Sequence, residues 1–308
     1  MTMTEWTTAA IPDQTGNCAI VTGTGGLGYV TALELASRGA DVILAGRNGE
    51  KGAQSIDKIL AEVPDAKIRF EEIDLARLAS IASFSERIKA SRAAVHLLIN
   101  NAGVMAPPTR RTTANGFEVQ FGTNHLGHFA LTGHMLPLLQ AAARPRVVTV
   151  SSGMHHVGRI HFEDLQFKKR YRPTAAYAQS KLANLMFALE LQRRSDANGW
   201  GLMSNAAHPG YALTDLISNG PGTTGLSYRF SALLALFLAH SPAAGALPTL
   251  YAATSVDAQP SGYYGPSGTF ELIGPPGNAR ISKRALDQEV AARLWDVSEQ
   301  LTGVVFPA

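Results

Sequence analysis

Tyr177 and Lys181 stand four residues apart in "YAQSK", and on a helix that spacing puts a phenol and an ammonium on one face. A phenol ionises near pH ~10 and is a poor base at neutrality. A neighbouring ammonium favours the phenolate, so such a pair can move a proton to or from an oxygen. Tyr-x-x-x-Lys is common by chance. Its weight here comes from Ser152, which ends the apolar run "RVVTVSS" 25 residues earlier, at the kind of strand end where parallel sheets place ligands. The Ser152 hydroxyl suits an oxygen on which negative charge develops. The three residues fit proton transfer at a carbonyl or alcohol oxygen, a reaction that also needs a hydride donor or acceptor at the carbon.

A place for that second reactant lies near the start of the chain. "CAIVTGTGGLGYVTALELASR" passes from strand to helix through Gly23, Thr24, Gly25, Gly26, Leu27 and Gly28. Gly23, Gly25 and Gly28 match G-x-G-x-x-G, in which glycine lets backbone approach a pyrophosphate and helix N–H groups point at it. About twenty residues on, NAD sites carry an acid for the ribose hydroxyls. Here the second strand ends "ILAGRN", with Gly46, Arg47 and Asn48 and no acid. An arginine fork there pairs with a 2′-phosphate, so NADP(H) is the expected cofactor, with NAD(H) left open. The plainer alternative is that Arg47 is a solvated residue at a strand end.

The elements that must position these residues follow from the alternation of short β-branched runs with longer helical patterns: "CAIVTG", "DVILAG", "KIRFEEID", "VHLLINN", "RVVTVSS" and "GLMSNAAHPG" each lead into a helix or loop. Strand and helix taking turns imply an α/β fold with parallel strands and crossover helices. The strands are nearly continuous apolar runs, so helices cover both sheet faces. The expectation is one doubly wound sheet of six or seven strands, in a single domain over residues 1–308. Residues 1–15 read as a flexible tail, about 153–176 as an inserted substrate loop, and about 212–241 as a lid region. The apolar stretch "LSYRFSALLALFLAH" within that last region reads equally as core packing. A final helix is expected from about Ser282 to Leu301.

Composition narrows the classes. Hydrophobic residues make up 45% and charged residues 17%, which excludes a mostly disordered chain. The net charge of +3 is scattered among acids, giving no case for nucleic acid. The single cysteine, Cys18, cannot form an intramolecular disulfide and fits a reducing compartment. The first sixteen residues lack the basic and apolar regions of a signal peptide, and the run Phe230 to His240 is about half the length of a membrane span. A cytoplasmic protein with no membrane span is expected. His155, His156 and His161 invite a metal reading, but no cysteine or carboxylate cluster completes a set, so no metal is expected.

Taken in order, "TGTGGLG", Asp74 in "EEIDLARL", "NNAGVM", "NHLGHF", "VTVSSG", "YAQSK" and "HPGYALTD" resemble the short-chain dehydrogenase/reductase family over nearly the whole chain. "NHLGHFALT", "AYAQSKLAN" and "GYYGPSG" are most similar to its retinol dehydrogenase, WW-domain oxidoreductase and protochlorophyllide reductase branch. The resemblance implies a Rossmann-type fold and an oxidoreductase acting on an apolar ketone, aldehyde or secondary alcohol. It implies that Asp74 and Leu75 hold the adenine, and that Asn101, Ala102 and Gly103 support the cofactor ribose. Pro209, Gly210 and Thr214 would close over the nicotinamide, Lys181 would hold its ribose, and Asn124 would position a relay water. Read alone, Asp74 is equally a helix cap and "NNAG" a strand-end turn. The family also implies homo-oligomers. Its glycine turn is T-G-x-x-x-G-x-G, whereas Thr22 to Gly28 is one residue shorter. That departure keeps a second class of function open, a non-catalytic or cofactor-sensing protein, beside ene reductases and epimerases of the same fold.

Overall fold

The computed structural model describes residues 5–210 and 241–307. Thr214 and the lid expected over 212–241, except its last residue, lie outside the described residues. The strands are β1 (Cys18–Thr22), β2 (Asp41–Gly46), β3 (Ile68–Glu72), β4 (Leu97–Asn100), β5 (Arg146–Val150), β6 (Met203–Ala207), β7 (Tyr263–Pro266) and β8 (Pro276–Asn278). They form one sheet in the order β3-β2-β1-β4-β5-β6-β7-β8. All neighbours pair in parallel except β7 and β8, which are antiparallel.

The sheet therefore has eight strands rather than the six or seven expected. The extra strand is the three-residue β8, "PGN", whose proline and glycine give no alternating pattern to read. Strand order reverses between β1 and β4, and this switch point is where open α/β sheets bind ligands.

Helices α1 (Gly26–Ser37), α2 (Gly49–Glu62), α3 (Leu78–Ser91), α4 (Gly127–Gln140), α5 (Pro173–Asn198), α6 (Pro242–Thr254) and α7 (Gln288–Thr302) cover both faces. Alternate strand residues feed two cores. Ile20, Ile43 and Leu98 pack with Phe84, Phe129 and Trp295 on one side, and Val21, Leu44 and Ile99 with Leu35 and Ile59 on the other. The local signals match the helix ends. Asn48 caps α2 by accepting from the Lys51 N–H, and Asp287 caps α7 by accepting from Val290 N–H. The last helix thus starts six residues later than its apolar pattern suggests.

One further expectation changes. The segment read as a flexible tail is docked through Trp6 and Ile11: the Trp6 ring meets Tyr251 edge-on at 5.4 Å, and Ile11 is buried in the core. Apolar burial of those two side chains outweighs the entropy of a free end. The inserted loop carries short helical turns at Gly153–His156 and Phe162–Asp164 and leads to α5.

Candidate active site

The C-terminal ends of β1, β4 and β5 open into one cavity of about 1010 Å³ that contains nearly every residue singled out from the sequence. Gly23, Thr24, Gly25, Gly26, Leu27, Arg47, Asn48, Asp74, Leu75, Asn101, Ala102, Gly103, Ser152, Tyr177, Lys181, Pro209 and Gly210 all line it. Gly28 and Asn124 stand just behind its wall.

The glycine turn is closely fitted. Gly23 adopts φ +98° and Gly26 φ +51°, backbone regions that favour glycine. A Cβ on Gly28 would lie 2.0 Å from the Gly23 carbonyl oxygen and 2.7 Å from Asn101 Nδ2. Gly25, extended, caps α1; its carbonyl accepts from the Gly28 and Tyr29 N–H groups at 3.1 and 3.4 Å, which leaves the Gly26 and Leu27 amides, on the cavity lining, without carbonyl partners. The Thr24 carbonyl accepts from Ser55 Oγ of α2 at 2.8 Å. Thr22 ties the floor together: its Oγ1 accepts from Asn101 N at 2.9 Å and Ala102 N at 3.0 Å, and its carbonyl accepts from Asn101 Nδ2 at 2.7 Å. The shortened turn therefore keeps a closely packed strand-to-helix geometry at a helix N-terminus, a place suited to an anion.

The end of the cavity at Arg47 shows what the sequence pattern left hidden. Beside Arg47, the cavity is lined by Tyr29, Lys51, Gln54, Ser55 and Lys58. Lys51, Ser55 and Lys58 follow one another at helical spacing on α2, so they share a face; only the packing of α2 on the sheet reveals that this face is the cavity wall. Asp74 accepts from Ala76 N at 3.0 Å in a turn before α3, and Arg77 rather than Asp74 precedes that helix.

At the other end, α5 carries Tyr177 and Lys181 beside the end of β5. Lys181 Nζ donates to the Val150 carbonyl at 3.0 Å and lies 5.7 Å from the Tyr177 ring centre. Burial pushes the Lys181 ammonium down to about 8. Burial also pushes the Tyr177 hydroxyl up to about 12, with a hydrogen bond to Ser152 pulling the other way. Burial thus dominates in the protein alone, and Tyr177 holds its proton at neutral pH; the phenolate would be favoured where the Lys181 ammonium is joined by the positive charge of an oxidised nicotinamide.

Ser152 is held from behind by His155, a residue that the sequence singled out only for the discarded metal reading. The Ser152 carbonyl accepts from His155 N at 3.0 Å and lies 2.8 Å from His155 Nδ1. A carbonyl can only accept, so Nδ1 carries the ring hydrogen, while Nε2 accepts from the Ser282 N–H at 3.3 Å. Burial lowers the His155 pKa to about 4 and keeps that neutral form. Among the described residues no His, Cys, Asp or Glu cluster is arranged to hold a metal.

Asn124 sits in a π-helical stretch, Phe121–Leu126, that leads into α4; such wide turns recur at functional sites. Its Oδ1 accepts from Val104 N at 2.8 Å, and its Nδ2 donates to the Val104 carbonyl at 2.9 Å and to Ser180 Oγ at 3.0 Å. Its main-chain carbonyl lies 2.9 Å from His128 Nδ1. Both amide hydrogens are therefore spent on clasping the loop after β4 and the helix that carries Tyr177.

Comparison with known proteins agrees with this geometry. The family model for short chain dehydrogenase matches residues 17–221. Retinol dehydrogenase 12 of Mus musculus is 40% identical over 293 residues, spanning 94% of this chain and 87% of that protein. Polyprenol dehydrogenase of Mus musculus is 41% identical over 300 residues, covering 95% of this chain and 86% of that protein. A solved structure of an uncharacterized protein from Mycobacterium Paratuberculosis superposes with a TM-score of 0.82 at 42% identity, covering 99% of this chain and all of that one.

Proposed function

This chain belongs to the short chain dehydrogenase family and is an NAD(P)-dependent oxidoreductase; from that premise we propose an NADP(H)-preferring enzyme, either a carbonyl reductase or an alcohol dehydrogenase, for apolar ketones, aldehydes or secondary alcohols. The observation that carries the proposal is the single cavity that joins a cationic adenosine end to the Ser152, Tyr177 and Lys181 group. The cofactor preference is supported by Arg47, Lys51 and Lys58 at the end of β2 and along α2, with no carboxylate in the Gly46–Asn48 strand end to repel a 2′-phosphate. The apolar substrate is supported by Met105, Ala106, Val119 and Met154 on the cavity wall beside Tyr177. Retinol and polyprenol, in the names of the relatives, are long apolar primary alcohols, and their two-electron oxidation gives aldehydes, which fall in this class.

The residues present fit a nicotinamide dinucleotide: the glycine cradle would be filled by a single Cβ, and α1 directs its first amides at the same point. Gly23 to Gly28 would hold the pyrophosphate, Asp74 and Leu75 the adenine, and Asn101, Ala102 and Gly103 the ribose side, with Pro209 and Gly210 near the nicotinamide. Bound there, the nicotinamide supplies or takes the hydride.

The chain's own part is the proton. Tyr177, protonated at neutral pH, gives its hydroxyl proton to the substrate oxygen in reduction, and Ser152 Oγ donates a hydrogen bond to that oxygen as charge develops. The Lys181 ammonium, close to the ring, stabilises the phenolate left behind and favours it as the base in oxidation. Asn124 and His155 hold this group in place from behind.

One domain, a cytoplasmic location and a homo-oligomeric state belong to the same reading. The location rests on the lone buried cysteine. No helix among the described residues is long and apolar enough to cross a membrane. Fluorescence titration with NADPH and NADH, followed by turnover of a panel of apolar ketones and alcohols, tests the proposal. Tighter NADPH binding with turnover is expected; binding of neither cofactor overturns it.

A further inference from the structure

The wall of the cavity opposite the glycine turn contains a backbone conformation that needs support. Ala106 has φ +44°, a left-handed value that L residues avoid, and it immediately precedes Pro107, whose ring disfavours anything but extended backbone there. Ala106 is buried and lines the cavity together with Met105. Backbone strain of this kind persists only where neighbours over-determine it, and it gathers at ligand clamps.

Those neighbours are specific. The Ala106 N–H donates to Gln120 Oε1 at 2.6 Å. Gln120 Nε2 spends its two hydrogens on Tyr171 Oη and the Pro173 carbonyl, each at 3.1 Å. Tyr171 Oη in turn donates to the Pro107 carbonyl at 3.0 Å. The fully buried Gln120 amide therefore has one orientation that satisfies it, and that orientation ties three segments together: the loop after β4, the inserted loop, and the start of α5. Gln120 lies four residues before Asn124, which clasps Val104 in the same loop. The nearby Glu118 carboxylate accepts from Gln120 N at 3.0 Å and Phe121 N at 2.8 Å, fixing the start of the helical stretch that carries both clasps.

We infer that Gln120 is a specificity-setting positioning residue: by holding Ala106 in its left-handed turn, with Tyr171 of the inserted loop completing the clamp, it fixes the Met105–Ala106 wall against which the apolar part of the substrate packs. This gives the insertion a defined task, and it rests on the proposed reaction for its kinetic readout alone. Gln120 touches no reacting atom; it acts through Ala106.

The test is Gln120→Leu, which keeps the bulk and removes the amide, measured alone and combined with Ala106→Gly. Three readouts are taken: NADPH dissociation constant, KM and kcat for an apolar ketone, and hydrogen exchange of the segment 103–108. Gln120→Leu is expected to raise KM about tenfold and speed exchange of that segment, with kcat within about threefold and NADPH binding unchanged. Adding Ala106→Gly is expected to recover much of the KM, because glycine adopts positive φ without a Cβ penalty. If Gln120→Leu does not fold, Tyr171→Phe, which removes the Pro107 contact from a half-buried position, is expected to raise KM in the same direction with NADPH binding unchanged. Unaltered KM overturns the inference, as does a joint fall of kcat, NADPH affinity and melting temperature that Ala106→Gly does not rescue. Should the wild type turn over none of the panel, the proposed reaction fails, while unchanged exchange in Gln120→Leu still overturns the clamp and accelerated exchange still upholds it.

Discussion

Gly28→Ala tests whether the shortened glycine turn is a working cradle. The added Cβ would lie 2.0 Å from the Gly23 carbonyl oxygen and 2.9 Å from its carbon, with Asn101 Nδ2 at 2.7 Å. The first two are backbone atoms and cannot rotate aside, so the turn and the start of α1 must separate by about 1 Å or more. Overpacking of this size costs about 1–3 kcal/mol, and the displaced groups are the amides aimed at the pyrophosphate. If most of that cost falls on cofactor binding, the NADPH dissociation constant rises about 5- to 150-fold, at about 1.4 kcal/mol per decade. NADPH fluorescence titration reads it directly. Gly49→Ala is the control, since a Cβ there meets only Phe70 Cε1 at an ordinary 3.9 Å. Wild-type NADPH affinity in Gly28→Ala, with the fold intact, would refute the cradle.

Other outcomes follow from the same geometry. Arg47→Ala combined with Lys51→Ala should weaken NADPH about tenfold or more and leave NADH within about twofold, since charge-assisted contacts to a 2′-phosphate are lost; equal losses for both cofactors would refute the assignment. Reduction should be level below pH about 8 and decline above it, as Lys181 gives up its ammonium while Tyr177 stays protonated to about 12; a rate–pH profile in which Lys181→Met removes the decline checks this. The neutral, buried His128 and His155, each held at about 4, take up protons far more readily once unfolded, so stability should fall as pH drops from about 6.5 toward 4. The loss is on the order of 1–2 kcal/mol per histidine at pH 5, visible as a lower urea midpoint; a flat midpoint over that range would contradict the buried neutral assignment.

Much of this was legible because it is local. The phenol and ammonium are four residues apart on one helix, Ser152 lies two residues past the end of β5, and Gly23 to Gly28 mark the first crossover; each pattern closes within a few residues. What escaped depends on packing between distant segments. Lys51 and Lys58 look like solvated helix charges until α2 is placed against the cavity, and Gln120 is an unremarked polar residue until Ala106, Tyr171 and Pro173 surround it. The π-helical turn at Asn124 leaves no trace in "FGTNHLGHF", which is apolar enough to read as ordinary buried helix. The burial that holds the Tyr177 proton on is hidden for a related reason: spacing shows the ammonium, while burial is a property of the assembled fold.

The central claim is that Tyr177 carries the proton and the glycine cradle carries the cofactor, as separable parts of one cavity. Tyr177→Phe removes one hydroxyl and keeps the ring beside Lys181, so NADPH titration and steady-state reduction of an apolar ketone can be read on the same variant. Turnover should fall by about a thousandfold or more, within the range expected for loss of general acid catalysis and its alignment, with the NADPH dissociation constant unchanged. Turnover near the wild-type rate would contradict the account.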